Sequence, residues 1–509
     1  MREARKREAA ARRRHCYLPA LAAVVVVCAA TLGQSAAPGA TPQEVNGLLP
    51  APASAPNEAL FGAHLHRSMS LLTNSSPERR YPVRILLYGQ SIVSINPLLT
   101  DLIREYLHRH YPDAVITLEN RAIGGFQADR LVRTETHDLY PFYPDLVIFH
   151  VYGGETTGQL ERIISNIRRY TTADILLFND HVNRSGTIQE LRWKEFAYLA
   201  EKYDCEVADV STEWPQYLKD NHIPATGLLK DGVHPNDDGF RVLADLIVRH
   251  LVYNPLFPSG SFQTMRTYEA KRAVDEGAGD EVVFHGTPWT VRPSGEAVGE
   301  SASGSLFLKF DGNRVDLVAS YDKEASAGKH GTARVLIDGR PPSENPDLYT
   351  ITRPSKIIFS NWPCVIRVTH RAPLLVEDWT LKITATNESN TDLQFEVTGS
   401  KTGPDGTGTN KEPFVSKSGR VVIEPRDVNF AAAYALSKRT HPVGYEVHWS
   451  VKPQFTDVYQ DPETNDHGKL YITTLAQGLT NGPHMLEIVP NGDGPVRIDS
   501  IQVYRPSMR

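Results

Sequence analysis

The sequence predicts an α/β domain built on a parallel sheet, followed by an all-β sandwich. Three observations predict it. Across residues 81–252, short apolar runs alternate with amphipathic stretches of helical period. Beyond residue 257 that period stops, and alternating strand text broken by turn residues replaces it. The 509 residues exceed one ordinary core, and Gly 36 with Pro 35 supply the turns a β-rich half needs.

The amino terminus comes first. Residues 1–14 are dense in Arg and Lys, residues 17–32 are apolar, and Ser35-Ala36-Ala37 offers an A-x-A-like cleavage site. That order is a secretory signal over residues 1–37 and predicts a secreted or periplasmic protein. The apolar run is shorter than the ~20 residues of a spanning helix. An uncleaved anchor is the alternative. Residues 38–80 read as a linker and lead-in, rich at first in Ala, Pro, Ser and Thr. Cys16 and Cys28 leave with the signal, and Cys205 and Cys364 lie in different halves. Two buried thiols fit that spacing better than a disulfide framework. A formal net charge of −6 gives no general footing for nucleic acid. The sequence has neither CxxC nor HExxH, so no metal site is expected.

From residue 81 the elements follow in turn. Residues 83–88 (VRILLY) read as a buried strand, and 97–110 as a helix with Leu98, Leu102, Ile103 and Tyr106 at apolar positions. Strands are expected at 115–119, 146–151 (LVIFHV), 175–178 and 205–210, and helices at 159–170, 190–203 and 238–252. Such alternation implies a parallel sheet covered by helices on both faces over residues 81–257. Its ligand site should lie at the carboxyl ends of the strands. Residues 258–280 read as a second linker. Beyond it, strand text recurs at 305–310, 314–320, 333–338, 381–385, 393–398, 444–451, 485–490 and 496–504. Asp311-Gly312, Asp338-Gly339 and Asn491-Gly492 are turn signals between such runs. Many short strands without a helix predict a sandwich over 281–509, and the stretch near 345–440 reads as an insertion in it.

Two short motifs carry the chemistry. The first strand ends in Tyr88-Gly89-Gln90-Ser91, which places a serine at the ligand edge of the sheet. Alone, Gly-x-Ser is common. The second piece is Lys230-Asp231-Gly232-Val233-His234-Pro235, immediately before the last helix of the α/β region. A serine hydroxyl needs a base at neutral pH, and the base needs an orienting carboxylate. Helix capping accounts for Asn236, Asp237 and Asp238 but not for the Asp-x-x-His before Pro235.

With both motifs at opposite ends of one α/β unit, residues 81–252 resemble the SGNH (GDSL-like) hydrolase family. The resemblance implies a flavodoxin-like three-layer sheet and a triad of Ser91, His234 and Asp231. It also implies an oxyanion-binding glycine after the second strand. Asn120-Arg121-Ala122-Ile123-Gly124-Gly125 matches, with Gly125 the candidate. The third motif departs from the family. Most members carry an Asn donor after the third strand, where this chain has Tyr152-Gly153-Gly154-Glu155-Thr156. Gln90-Ser91 and Gly154-Glu155 resemble the carbohydrate acetylesterase branch, which includes sialate O-acetylesterases. That branch has Gln-Gly-Glu at its third motif, and Gly153 stands here in place of the Gln. One missing donor typically costs ~3 kcal/mol, or roughly 10²–10³ in rate. Backbone N–H groups of Gly153 or Gly154 are one replacement. A residue of Asn179-Asp180-His181, at the end of the fourth strand, is another, although Asn179 could equally bond the loop backbone. Glu155 reads more readily as a loop orienter than as an acid.

In the second half, Arg314-Val315-Asp316-Leu317-Val318 and Gly482-Pro483-His484-Met485-Leu486-Glu487-Ile488 resemble galactose-binding-like jelly rolls. Trp289, Trp362, Trp379 and Trp449 lack helical order; exposed, they would stack on sugars, but burial in a sandwich core is the commoner arrangement. The expected activity is that of an exported serine esterase, without cofactor, removing O-acetyl or other acyl groups from a carbohydrate. No nucleic-acid partner and no stable membrane insertion after signal cleavage are expected, and the sandwich mainly adds glycan affinity. One alternative is hydrolysis of a lipid or other acyl ester with the same triad. The other is a glycan-binding protein whose α/β domain is inactive or cleaves glycosidic bonds with Glu155 as acid.

Overall fold

A computed structural model describes residues 49–181, 187–256, 264–272, 274–275, 282–286, 289–320, 328–466 and 468–509. The signal expected over 1–37 lies outside the described residues. Five strands form the first sheet: β1 (Pro82–Gly89), β2 (Val115–Asn120), β3 (Leu146–His150), β4 (Asp174–Phe178) and β5 (Glu206–Ala208). All pair in parallel in the order β2-β1-β3-β4-β5. Ile85, Leu86, Leu87, Val147, Ile148, Ile175 and Leu176 are buried, as expected of strands covered on both faces. The strand order reverses between β1 and β3, and a crevice at such a switch point is where open α/β sheets bind ligands.

The helices of this part are α1 (His66–Thr73), α2 (Ser91–Ser94), α3 (Pro97–His110), α4 (Ala128–Asp138), α5 (Gln159–Tyr170), α6 (Thr187–Lys202), α7 (Val210–Asp220) and α8 (Asp237–Val248). Local chemistry starts α3 and α8. The Asn96 side chain accepts from Leu98 N at 3.0 Å with Pro97 just inside the helix, and the Asn236 side chain accepts from Gly239 N at 2.8 Å. Helix α8 ends at Val248, short of the expected residue 252. Helices α1, α2, α4 and α7 were not expected from apolar periodicity. For α4 the cause is visible: it buries Thr134, Glu135, His137 and Asp138. Thr134 and Glu135 bond to Tyr88, Tyr140 and Asn166, while His137 and Asp138 meet Ile351, Val368 and Arg353 of the second half, so the face never reads as apolar.

That half holds two large, mainly antiparallel sheets and a two-stranded one pairing Phe414–Val415 with Val422–Ile423. The larger orders Val458–Gln460, Thr332–Ile337, Ile472–Pro490, Gly304–Ala319, Val496–Tyr504, Ala297–Gly299 and Trp289–Val291 side by side. Met265–Glu269 also pairs with Val496–Tyr504, so part of the stretch read as a linker belongs to this sheet. Register shifts after Gly312 and Val315 break the ladder of the long Gly304–Ala319 strand, the kind of irregularity that lets a strand bend around a core. The smaller sheet orders Tyr349–Ile351, Glu446–Pro453, Asp378–Thr386, Leu393–Gly399 and Gly403–Thr409. It has its own core around Trp379, Phe395, Phe430 and Trp449. In sequence it interrupts the larger sheet between Thr332–Ile337 and Val458–Gln460, where an insertion was read. One helix, Phe430–Ser437, stands in this half, where none was expected. Trp289, Trp379 and Trp449 are core residues, whereas Trp362 is only partly buried. Cys205 and Cys364 are buried and free. Among the described residues, no helix is long and apolar enough to cross a membrane.

Candidate active site

Strand β1 delivers Ser91. It ends at Gly89, whose φ of 142° and position against β3 exclude a side chain: an added Cβ would lie 2.0 Å from the His150 carbonyl oxygen. The chain then turns directly into α2, leaving Ser91 half-buried at its first residue. The preceding side chain, Gln90, donates to the Tyr152 carbonyl at 3.0 Å and so ties the β1 loop to the β3 loop.

The Asp231–His234 turn forms as the spacing required. Asp231 Oδ2 lies 2.9 Å from His234 Nδ1, while Oδ1 accepts from the amides of Val233 and His234 at 2.8 Å each. The amide and ring of His234, with the Val233 amide, hold the Asp231 carboxyl down to about 2. Asp231 therefore stays ionised at any pH near neutrality, and His234 Nδ1 must carry the proton between them. Two bonds place this turn. His181, at the end of β4, donates through Nε2 to the Val233 carbonyl at 2.8 Å. Asn96, five residues after Ser91, donates to Asp237 Oδ1 at 3.1 Å. Serine and imidazole are thus anchored to the same edge. No hydrogen bond joins Ser91 Oγ to His234 among the described residues, and such bonds commonly tighten only with substrate in place.

The other expected residues fall into two groups. Gly125 is exposed on the β2 loop with φ 79°, and its neighbour Gly124 abuts the serine: a Cβ there would be 3.8 Å from Ser91 Cβ. Gly153 donates its N–H to Glu155 Oε1 at 2.8 Å, and its carbonyl accepts from Ala128 N at 3.3 Å. Its amide is therefore engaged in the loop. Gly154 opens the short turn Glu155–Thr157 in a left-handed conformation. Glu155 is buried, bound to the Gly153 amide, with Arg192 Nε 3.5 Å from its other oxygen. The Asn179 side chain is engaged on its own edge: its amide donates to Asp209 Oδ1 at 2.8 Å and Ser211 Oγ at 3.0 Å, and its oxygen accepts from Ser211 N.

Two residues of this edge, Arg353 and Gln127, escaped sequence reasoning, and two that it named, His181 and Trp362, make contacts it did not foresee. His181 anchors the histidine turn as described. The others hold the β2 loop or lie on it. Arg353 donates to the Arg121 carbonyl at 2.7 Å, and Trp362 Nε1 donates to the Gly124 carbonyl at 2.6 Å. The Trp362 ring is 3.2 Å from the point a Gly125 Cβ would occupy and packs edge-on against Phe126 at 5.6 Å. The fourth is Gln127, whose side chain lies against Gly153 and caps nothing, although the residue stands at the amino end of α4. Trp362 stands out in the sequence as a tryptophan outside any helical period, and His181 as the end of the fourth strand. Nothing local marks Arg353 or Gln127.

A doubly wound α/β domain with a serine after its first strand and an Asp-x-x-His couple before its last helix is the class of protein these features define. No protein-family model matches the chain, and no curated protein matches it. Among solved structures it is similar to a two-domain esterase active on acetylated mannans, co-crystallised with mannopentaose. That likeness has 14% identity, covers 87% of this chain and 96% of the other, and has a TM-score of 0.34. It is also similar to an acetylxylan esterase from Geobacillus stearothermophilus, at 17% identity over 33% of this chain and 94% of that one, TM-score 0.30. A third is an α/β hydrolase from the metagenome of Lake Arreo, Spain, at 16% identity over 35% and 99%, TM-score 0.30.

Proposed function

We propose that this chain is an exported serine esterase of the SGNH type that removes acyl groups, O-acetyl above all, from a carbohydrate. The observation that carries the reading is the Asp231–His234 couple, 2.9 Å apart, anchored at the edge where β1 delivers Ser91. In this mechanism Ser91 Oγ attacks the ester carbonyl carbon while His234 Nε2 takes its proton. The imidazolium is stabilised by Asp231 and returns the proton to the departing sugar hydroxyl. Water then enters by the same route, releasing the acid and freeing Ser91. The amides of Ser91 and Gly125 face the developing oxyanion.

The carbohydrate reading rests on the Gln90-Ser91 and Gly154-Glu155 pairs, and on the partly exposed Trp362 beside Gly125, a surface on which a sugar ring can stack. A glycosidase reading would need Glu155 as acid, yet that carboxylate is buried in its own loop beside Arg192. Export rests on the composition of residues 1–37. Acetate release from acetylated mannan and xylan, together with turnover of p-nitrophenyl acetate, tests the reading. Ser91→Ala and His234→Ala should each lower kcat by roughly 10³-fold or more, because nucleophile and base act as a unit. Full turnover in Ser91→Ala would end it.

A further inference from the structure

We infer that Gln127 supplies the side-chain oxyanion donor that the β3 loop lacks. This rests on the esterase reading above and adds a catalytic residue to it. The loops after β1, β2 and β3 converge through two bonds, Gln90 Nε2 to the Tyr152 carbonyl and Ala128 N to the Gly153 carbonyl. At that junction the Gln127 amide fills the room a residue 153 side chain would need. A Cβ on Gly153 would lie 2.7 Å from both Gln127 Cδ and Nε2 and 3.0 Å from Oε1. The position that carries Gln or Asn in similar sequences is a glycine here, and a glutamine amide from the neighbouring loop occupies its space.

That amide is available. Gln127 is half-buried, and its side chain makes no hydrogen bond among the described residues, not even the capping bond its place before α4 invites. A half-turn about its last bond exchanges Nε2 and Oε1, so the donor can face the oxyanion. Two rival donors are engaged: Gly153 N–H on Glu155, and the Asn179 amide on Asp209 and Ser211. Gln127 also lies three residues beyond Gly124, which abuts Ser91. When Ser91 Oγ bonds to the acyl carbon, the carbonyl electron pair moves to its oxygen. That oxygen then accepts from the Ser91 amide, the Gly125 amide and Gln127 Nε2, and no further reactant is consumed. The bulk at residue 153 has changed chains of the fold, not chemistry.

The test compares the full chain with Gln127→Met and Gln127→Glu, both close in size to glutamine, on p-nitrophenyl acetate. Each should lose ~10²-fold in kcat, the size of one missing oxyanion donor, with KM nearly unchanged and the thermal midpoint held. A protonated glutamic acid donates through its O–H, whereas methionine never does. The Glu-to-Met ratio of kcat should therefore rise as pH falls from 7 to about 4.5, through the ordinary carboxyl range. Unchanged kcat in both variants overturns the inference, as does a rise confined to KM or a flat ratio across pH. Wild type and Ser91→Ala run alongside. Should Ser91→Ala keep its turnover, the esterase reading itself has failed. If Ser91→Ala is dead and the Gln127 variants are untouched, only the role of Gln127 is lost.

Discussion

At the scale of single residues, charge and burial divide the work around the site. Asp231 is exposed, yet its carboxyl is pulled down to about 2 by the His234 amide and ring, so it does not set the acid limb of activity. The sign is that of a depressed acid. Its contribution to folding is in full above the unfolded value near 3.8 and fades as pH falls toward 2. His181 behaves oppositely. Burial, opposed by Asp180, pushes its ring down to about 4. The unfolded chain takes up that proton first, so stability present above about 6.5 is lost as pH falls toward 4. His181→Leu removes the donor to the Val233 carbonyl and should lower kcat by about tenfold, while His181→Gln keeps an N–H and should retain most of the rate. Both should flatten the fall of the thermal midpoint between pH 6.5 and 4. A Gln variant with the wild-type acid loss would assign that loss elsewhere, for instance to His150, which burial also lowers.

Between elements, the informative contact is the one between the β2 loop and the inserted sheet. Arg353 and Trp362 reach residues 121 and 124 across more than two hundred residues of sequence, so no window of local pattern could contain them. Ser91 and the Asp231–His234 pair could be read as candidates because each stands in a short local motif, one just after an apolar strand and the other just before a capped helix. Helix α4 was not legible, for the same reason as the loop. Its buried face pairs Arg133 with Asp427, Asp138 with Arg353, and His137 with the Val368 amide and the Ile351 carbonyl. Polar residues whose partners lie far along the chain read locally as a surface. The four tryptophans divide on the same principle: three fill β cores, and the fourth is placed by the Gly124 carbonyl of the α/β part. Trp362→Phe keeps a ring against Phe126 and deletes the N–H to Gly124. One lost hydrogen bond of about 1 kcal/mol predicts a several-fold drop in kcat at steady KM. A rise in KM for glycan with unchanged kcat would instead make Trp362 a sugar platform alone.

Over the whole molecule, residues 50–509 form one compact unit in which the parallel sheet, the larger antiparallel sheet and the inserted sheet are joined. The inserted sheet packs on α4 and on the β2 loop beside Ser91, through Arg353 and Trp362. The proposed esterase mechanism requires Ser91 as the nucleophile, and the most direct measurement is covalent capture. A fluorophosphonate should label the full chain once, with the adduct mapped to the peptide containing Ser91. Ester turnover should fall in step with labelling, and Ser91→Ala should neither label nor turn over. Labelling at another residue, or turnover that persists after Ser91 is fully modified, would contradict it.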